Sequence, residues 1–191
     1  TTEEPAVAIS VEKPKSVTIL GSTGSVGCQT IDLLEREPER YRVVALTANR
    51  NVEELSRQAR TLRPEFVAIA DSDRYNELKA NLFGSGIEVG AGPSGIVEAA
   101  DANAEWVMAA IVGAAGLMPT LQAVRRGATV ALANKECLVC AGELLMSEME
   151  RCGSALLPVD SEHNAIYQVF DFERIEAVEK LILTASGGPF R

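Results

Sequence analysis

The stretch "SVTILGSTGSVGCQTIDLLERE", residues 16–37, decides how the chain folds. Its first five residues are an apolar run of the kind a strand buried on both faces carries. From Ser25 onward the apolar residues return at helical spacing. Between the two stand Gly21, Gly24 and Gly27, in the pattern G-x-x-G-x-x-G. This is a variant of the dinucleotide fingerprint, in which glycines permit a tight turn and let backbone approach a pyrophosphate at a helix N-terminus. Thr23 and Ser25 add hydroxyl donors to the same turn. Glycines also simply end strands. What gives this spacing meaning is its position, directly after a strand and before a helix.

Working outward, the same alternation recurs. "RVVALTA", "FVAIA", "WVMAAIV", "ATVALA" and "ALLPVD" read as further strands, with a weaker one at "IEV". "NVEELSRQARTL", "SDRYNELKANLF" and "LMPTLQAVRRG" read as helices between them. Alternating strands and helices imply a parallel sheet with right-handed crossovers, so the expected fold is α/β, a doubly wound Rossmann-like domain over residues 15–155. Residues 1–14 read as a flexible acidic tail, and residues 156–191 as the start of a second, α+β domain. There "SEHNAIYQVFDF" reads as a helix and "KLILTASGGPFR" as a strand running into a glycine turn, a place where a domain is not yet closed.

Composition narrows the function classes. The chain has 191 residues, 47% of them apolar, and 18 basic against 27 acidic side chains for a net charge of −9. No basic stripe is present, which argues against a nucleic-acid partner. The longest nearly uncharged stretch, "WVMAAIVGAAGLM", is too short to cross a bilayer, so no membrane association is expected. The N-terminus has acidic residues where a secretory signal carries positive charge. Four sparse cysteines fit a reducing, cytoplasmic location. Cys137 and Cys140 form a C-x-x-C without a second pair at zinc-finger spacing. On a helix they would share one apolar face as small core residues.

Three further turns carry polar residues. The second strand runs out as "LTANRNV", with Asn49, Arg50 and Asn51 and no carboxylate before Glu53. An NAD site places an acid there to accept from the ribose hydroxyl, whereas Arg50 can pair with a 2′-phosphate, which favours NADP. "TVALANKECLV" ends another strand with Asn134, Lys135 and Glu136. In a doubly wound sheet this turn faces the rim that holds the glycine turn; a lysine there can bind an anion, and the motif also suits a capped helix start with a solvated lysine. "LLPVDSEHNAIYQ" sets Asp160 and Glu162 around Ser161, followed by His163, the single histidine. That cluster is either an acidic first turn of a helix or a place that holds a cation.

Together "GSTGSVG", "AAIVGAAGL", "ALANKE", "PVDSEHNAI" and "SGGPFR" closely resemble the 1-deoxy-D-xylulose 5-phosphate reductoisomerase family, from about Lys15 to Arg191. The resemblance implies an NADPH-dependent oxidoreductase and isomerase of non-mevalonate isoprenoid biosynthesis. Such an enzyme rearranges its phosphorylated sugar substrate and reduces it to 2-C-methyl-D-erythritol 4-phosphate with Mg, Mn or Co, as a homodimer when full-length. It makes Asp160 and Glu162 metal ligands and Ser161, Glu162 and Ser186 substrate contacts. Lys135 becomes a substrate-binding residue, and Lys135 and Glu162 become the catalytic candidates. Thr23 to Val26, Asn49 to Asn51, Asn134 and Glu136 become cofactor contacts. Hard oxygen ligands suit a divalent ion, and in extended backbone residues two apart point the same way, so 160 and 162 can converge on one ion. His163 is expected to cap the helix or support the ligands. The family's remaining metal-binding glutamate and mobile active-site loop have no counterpart before Arg191, so this chain alone is expected to be inactive.

Two other functions fit the first domain. Another NADP-linked dehydrogenase, acting on a small aldehyde or lactone, would need no metal. A non-catalytic NADP-binding module would keep its role when Asp160 and Glu162 are changed.

Overall fold

The computed structural model describes residues 13–182. Seven strands form one all-parallel sheet in the order β4-β3-β2-β1-β5-β6-β7. They are β1 (Lys15–Leu20), β2 (Tyr41–Ala48), β3 (Phe66–Ile69), β4 (Glu88–Ala91), β5 (Trp106–Ala109), β6 (Thr129–Leu132) and β7 (Ala155–Pro158). The helices between them are α1 (Ser25–Arg36), α2 (Val52–Leu62), α3 (Tyr75–Asn81), α4 (Gly92–Asp101), α5 (Leu117–Arg125), α6 (Glu136–Cys152) and α7 (Ser161–Val169). The doubly wound fold expected from the sequence is the fold observed.

Alternation along β1 explains the two layers. Val17 and Ile19 join Ile31, Leu34, Leu46, Leu55 and Leu78 in a core under α1, α2 and α3. Leu20 faces the other way, into a core with Ile96, Val107, Leu121, Val124, Val130 and Leu145 under α4, α5 and α6. A bulge pairs Val17 with Val43 but Thr18 with Ala45, so one extra residue of β2 is taken up before the strands reach the rim. Strand order reverses at β1, which has β2 on one side and β5 on the other. The crevice beyond the carboxyl end of β1 is therefore the topological switch point, where ligands of this fold bind.

The structure departs from the sequence reading in several places. Helix α4 lies in a segment whose first turn, Gly-Pro-Ser-Gly, carries no helical signal in the sequence. Pro93 stands at the start of the helix, where its missing N–H is harmless, so here proline opens a helix. The strand expected from Trp106 to Val112 stops at Ala109, leaving Val112 exposed on the rim. Helix α6 is broken at Ala141, whose φ and ψ are −149° and 34°. The cysteine pair does not share a buried face: Cys137 is buried, but Cys140 is exposed. Residues three apart are separated by about 60° around a helix, enough to put one at the core and the other outside it. Lys180–Ile182 form no strand, and the remainder of "KLILTASGGPFR", with Ser186, lies outside the described residues. The expected domain boundary at 155/156 falls inside β7, which pairs in register with β6 through Thr129–Ala155 to Leu132–Pro158.

Ion pairs join the second layer of helices. Glu148 on α6 takes Arg151 from its own helix and Arg125 from α5, each at 2.8 Å. Hydrogen bonds from Arg151 and then Arg125 hold its carboxyl at about 2, below the ordinary 4.5. A carboxylate whose pKa is depressed by folding contributes stability that is present above the unfolded value and lost as pH falls toward the folded one. Glu148→Gln is therefore expected to be less stable than the parent above pH 4.5, with the difference closing as pH falls toward about 2. Urea unfolding across that range measures it; a difference that grew toward acid pH would contradict the assignment.

Candidate functional site

The glycine turn is built by backbone packed against backbone. Gly21 has a φ of +84°, a left-handed conformation, and a Cβ there would meet the carbonyl oxygen of Ala110 at 2.9 Å. Gly27 is tighter still: a Cβ would lie 2.2 Å from the oxygen of Gly21 and 2.7 Å from Cα of Ser22. Helix α1 can start where it does because residue 27 has no side chain. Gly24 differs, since its Cβ would meet only the Gly21 oxygen, at 3.4 Å. Its backbone is extended at the N-cap of α1, and no side chain caps the helix. The first-turn amides of Ser25, Val26 and Gly27 thus have no intrahelical acceptor and no acidic neighbour in that turn. Helices α2 and α7 are capped instead, by Asn51 and Asp160, whose side chains accept from the N–H groups of Glu54 and His163.

Residues of β2 and α2 brace the turn. Thr47 Oγ1 accepts from the Gly21 N–H at 2.9 Å, and its carbonyl accepts from the Ser22 N–H at 2.8 Å. Gln58 Nε2 donates to the Ser22 carbonyl at 3.0 Å. The neighbouring turns are aligned by backbone bonds: Ala110 N–H to Leu20 O at 2.9 Å, Ala133 N–H to Ala109 O at 3.1 Å and Val159 N–H to Leu132 O at 3.0 Å. These put the turns after β1, β5, β6 and β7 side by side on one rim.

Arg50 stands on that rim, exposed, but it is not unpaired. Its Nε donates to Asp71 Oδ2 at 2.7 Å. Asp71 follows β3, and its N–H donates to the carbonyl of Asn49 at 3.0 Å. The bond between the two side chains raises the pKa of Arg50 and lowers that of Asp71. Neither Nη group of Arg50 makes a hydrogen bond among the described residues, and the charge of Asp73 adds to that of Asp71 beside it. The sequence reading missed Asp71, since a carboxylate reaches the β2 turn from the adjacent strand. Its signal was present: an aspartate directly after the buried run "FVAIA".

Asn134 is 2% exposed and fully engaged. Its Nδ2 donates to the carbonyls of Ile111, at 2.5 Å, and Gly113, at 2.9 Å, while its Oδ1 accepts from the Glu136 N–H at 3.1 Å. The side chain thus holds the turn after β5 against the start of α6. Lys135 and Glu136 beside it are exposed on the rim.

At the next strand end Asp160 is the N-cap of α7. Its Oδ1 accepts from the His163 N–H at 3.1 Å, and His163 Nδ1 lies 2.7 Å from the same oxygen. Asp160 is extended, with φ −62° and ψ 150°, but Ser161 and Glu162 are already helical. The expectation of extended backbone from 160 to 162 is therefore corrected. The two carboxylates occupy the cap and the first turn of a helix. Partial burial opposes ionisation of Asp160, yet bonds from His163 and the charges of His163 and Lys135 hold its pKa below the ordinary value. Glu162 is lowered by bonds from its own backbone N–H and the Ser161 hydroxyl, with a further contribution from Lys135. Lys135 thus acts electrostatically on both carboxylates, joining the turns after β6 and β7 into one cluster. Asp160 Oδ2 and Glu162 Oε1 accept no hydrogen bond from a side chain among the described residues. No group of three or more potential metal-ligating His, Cys, Asp or Glu side chains occurs among the described residues. The pair can fill part of a divalent coordination sphere, which needs about six oxygens.

A parallel doubly wound sheet with an uncapped helix at its switch point and polar turns along the same rim defines a Rossmann-like α/β domain. The 1-deoxy-D-xylulose 5-phosphate reductoisomerase profile matches residues 17–142, and that family's C-terminal-domain profile matches residues 156–191. The chain belongs to the 1-deoxy-D-xylulose 5-phosphate reductoisomerase family. It is 67% identical over 177 residues to the reductoisomerase of Rhodospirillum centenum, covering 93% of this chain and 44% of that one. Among solved structures, the Zymomonas mobilis reductoisomerase in complex with NADPH matches with a TM-score of 0.90 and 53% identity, over 94% of this chain and 48% of that one. A reductoisomerase in complex with NADPH, fosmidomycin and magnesium matches with a TM-score of 0.80 and 38% identity, over 84% and 40%. The chain spans about half the length of the relatives it matches. No helix of the described residues is long and apolar enough to cross a membrane.

The two glycines separate folding from ligand access. Gly27→Ala forces backbone apart and is expected to lower stability by about 1–3 kcal/mol or more. Gly24→Ala meets little and should change stability by about 1 kcal/mol or less. Denaturant unfolding of both variants tests this; equal losses would show that the approach at Gly27 is not the tight one.

Proposed function

We propose that this chain provides the NADPH-binding domain and the first metal-binding carboxylates of an enzyme converting 1-deoxy-D-xylulose 5-phosphate to 2-C-methyl-D-erythritol 4-phosphate. The observation that supports it best is the uncapped N-terminus of α1 at the switch point, on the same rim as Arg50 and the Lys135–Asp160–Glu162 cluster. Bound there, NADPH would supply hydride, and a Mg or Mn ion would supply Lewis acidity toward the substrate oxygens. The first-turn amides of α1, with Thr23 and Ser25, suit a pyrophosphate, because they present N–H groups and the positive end of the helix dipole. Arg50, held through Nε by Asp71, keeps both Nη groups for a 2′-phosphate. Asn49 and Asn51 shape the turn that carries it, and Asn134 and Glu136 shape the opposite side of the crevice. Lys135 is placed to bind the anionic substrate and to balance the charge of Asp160 and Glu162. Ser161, exposed on the first turn of α7, and Ser186, outside the described residues, complete the proposed substrate contacts. His163 fixes the rotamer of Asp160 from within the helix.

The same reading makes residues 15–155 the cofactor domain and residues from 156 onward the start of the catalytic one. It takes the full-length enzyme as a cytoplasmic homodimer with a small phosphorylated sugar, not nucleic acid or membrane, as partner.

Cofactor choice tests the Arg50 assignment. NADPH should bind this chain more tightly than NADH, since a charge-assisted contact is worth about 1.5–3 kcal/mol, or roughly one to two decades of affinity. Arg50→Asp should remove that advantage and leave NADH affinity nearly unchanged, as calorimetry would show. A parent chain that binds both equally would contradict the assignment.

Metal binding tests the second cluster. Asp160→Asn keeps a side chain able to cap α7, so the fold should persist. Asp160→Asn and Glu162→Gln are each expected to weaken Mn binding at least tenfold while leaving NADPH affinity unchanged. Manganese relaxation of solvent protons reads the first and fluorescence the second. Unchanged Mn affinity in both variants would return the cluster to an acidic helix start.

A further inference from the structure

We propose that Gln58 is a positioning residue for dinucleotide binding, tying the glycine turn to the Arg50 turn through the interior of α2. The inference rests on the cofactor reading above. Gln58 is 0% exposed, an unusual burial for an amide on a helix whose neighbours Leu55 and Ala59 form the core. Its Nε2 donates to the Ser22 carbonyl at 3.0 Å and to Glu54 Oε1 at 3.0 Å. Glu54 is fixed in turn: its N–H donates to Asn51 Oδ1 at 3.1 Å, and Arg57 donates to both of its carboxylate oxygens, at 3.0 and 2.8 Å. Arg57 also reaches Glu35 on α1 at 3.4 Å. A single path of hydrogen bonds therefore runs from Asn51, which begins α2 beside Arg50, through Glu54 and Gln58 to Ser22 in the glycine turn.

The separation of those two turns matters because a dinucleotide must touch both. The pyrophosphate is suited to the start of α1 and the adenosine 2′-phosphate to Arg50, and the distance between them is fixed by the ligand's covalent geometry. Packing alone would fill the space at Gln58 more cheaply with leucine or methionine, since its Oε1 is buried with no hydrogen-bond partner among the described residues. The amide is accounted for by what its donor does. Its bond to the Ser22 carbonyl fixes the peptide that opens the glycine turn.

The test uses Gln58→Met, which keeps volume and length but removes the donor, in the 191-residue chain. Dissociation constants for NADPH and NADH should both rise by the same factor, about three- to tenfold, since the glycine turn serves the pyrophosphate common to both. Glu54→Ala, at a partly exposed position, removes Gln58's second acceptor without touching the core and should raise both constants about twofold. In the ligand-free Gln58→Met chain, amide hydrogen exchange at residues 22–24 should accelerate relative to β1, which does not depend on any ligand. Affinities within error of the parent, a loss confined to NADPH, or unchanged exchange at the turn would each overturn the proposal. A parent chain that bound neither dinucleotide would instead refute the cofactor reading, and the exchange measurement would still decide the role of Gln58.

Discussion

The approach of Gly27 to the Gly21–Ser22 backbone is the contact on which the rest of the site depends. A methyl group at residue 27 would lie 2.2 Å from a carbonyl oxygen, so only glycine lets α1 begin directly over the end of β1. That placement brings the first-turn amides to the switch point of the sheet, where the strand order reverses between β2 and β5. No side chain among the described residues takes those amides, whereas α2 and α7 are capped by their own residues. Close packing inside the domain and an open helix end on its rim are thus two consequences of one turn.

Around this contact the rim is assembled from polar groups whose roles are divided. Thr47, Gln58, Asn134 and Asp71 use their hydrogen bonds to hold turns in place. Arg50 and Lys135 are exposed, and Asp160 and Glu162 each keep one carboxylate oxygen without a side-chain hydrogen bond among the described residues. Preorganisation of this kind is what a site for a charged ligand needs, because groups already held in position do not have to be ordered on binding. The Arg50–Asp71 pair shows the principle: one edge of the guanidinium is fixed and the other remains available.

Much of the architecture was legible in the sequence, because period and composition agree in strands such as "SVTIL" and "RVVALTA" and in helices such as "NVEELSRQARTL". Helix α4 was not, since Gly-Pro-Ser-Gly looks like a loop until its proline is seen to occupy a first helical turn. The site was legible where one local segment supplies it, as in the glycine turn and the Asp160–Glu162 cluster. It was hidden where partners come from different strands. Asp71 reaches Arg50 from β3, Asn134 spends its side chain on the turn after β5, and Gln58 meets Ser22 across 36 residues of chain. Local pattern also misjudged geometry at residues 160–162, where helix starts at Ser161, three residues past the end of β7, instead of extended backbone continuing. Family resemblance supplied roles for these residues, but only the fold showed which side chains are committed to structure.

On the proposed function, the open N-terminus of α1 receives the cofactor. Backbone amide ¹H–¹⁵N shifts of the chain, followed while NADPH is added, test it most directly. The largest changes are expected at Gly24 to Gly27, with a second set at Asn49 to Asn51, and little change at the capped start of α7. Saturable binding that left the amides of residues 24–27 unmoved would contradict it.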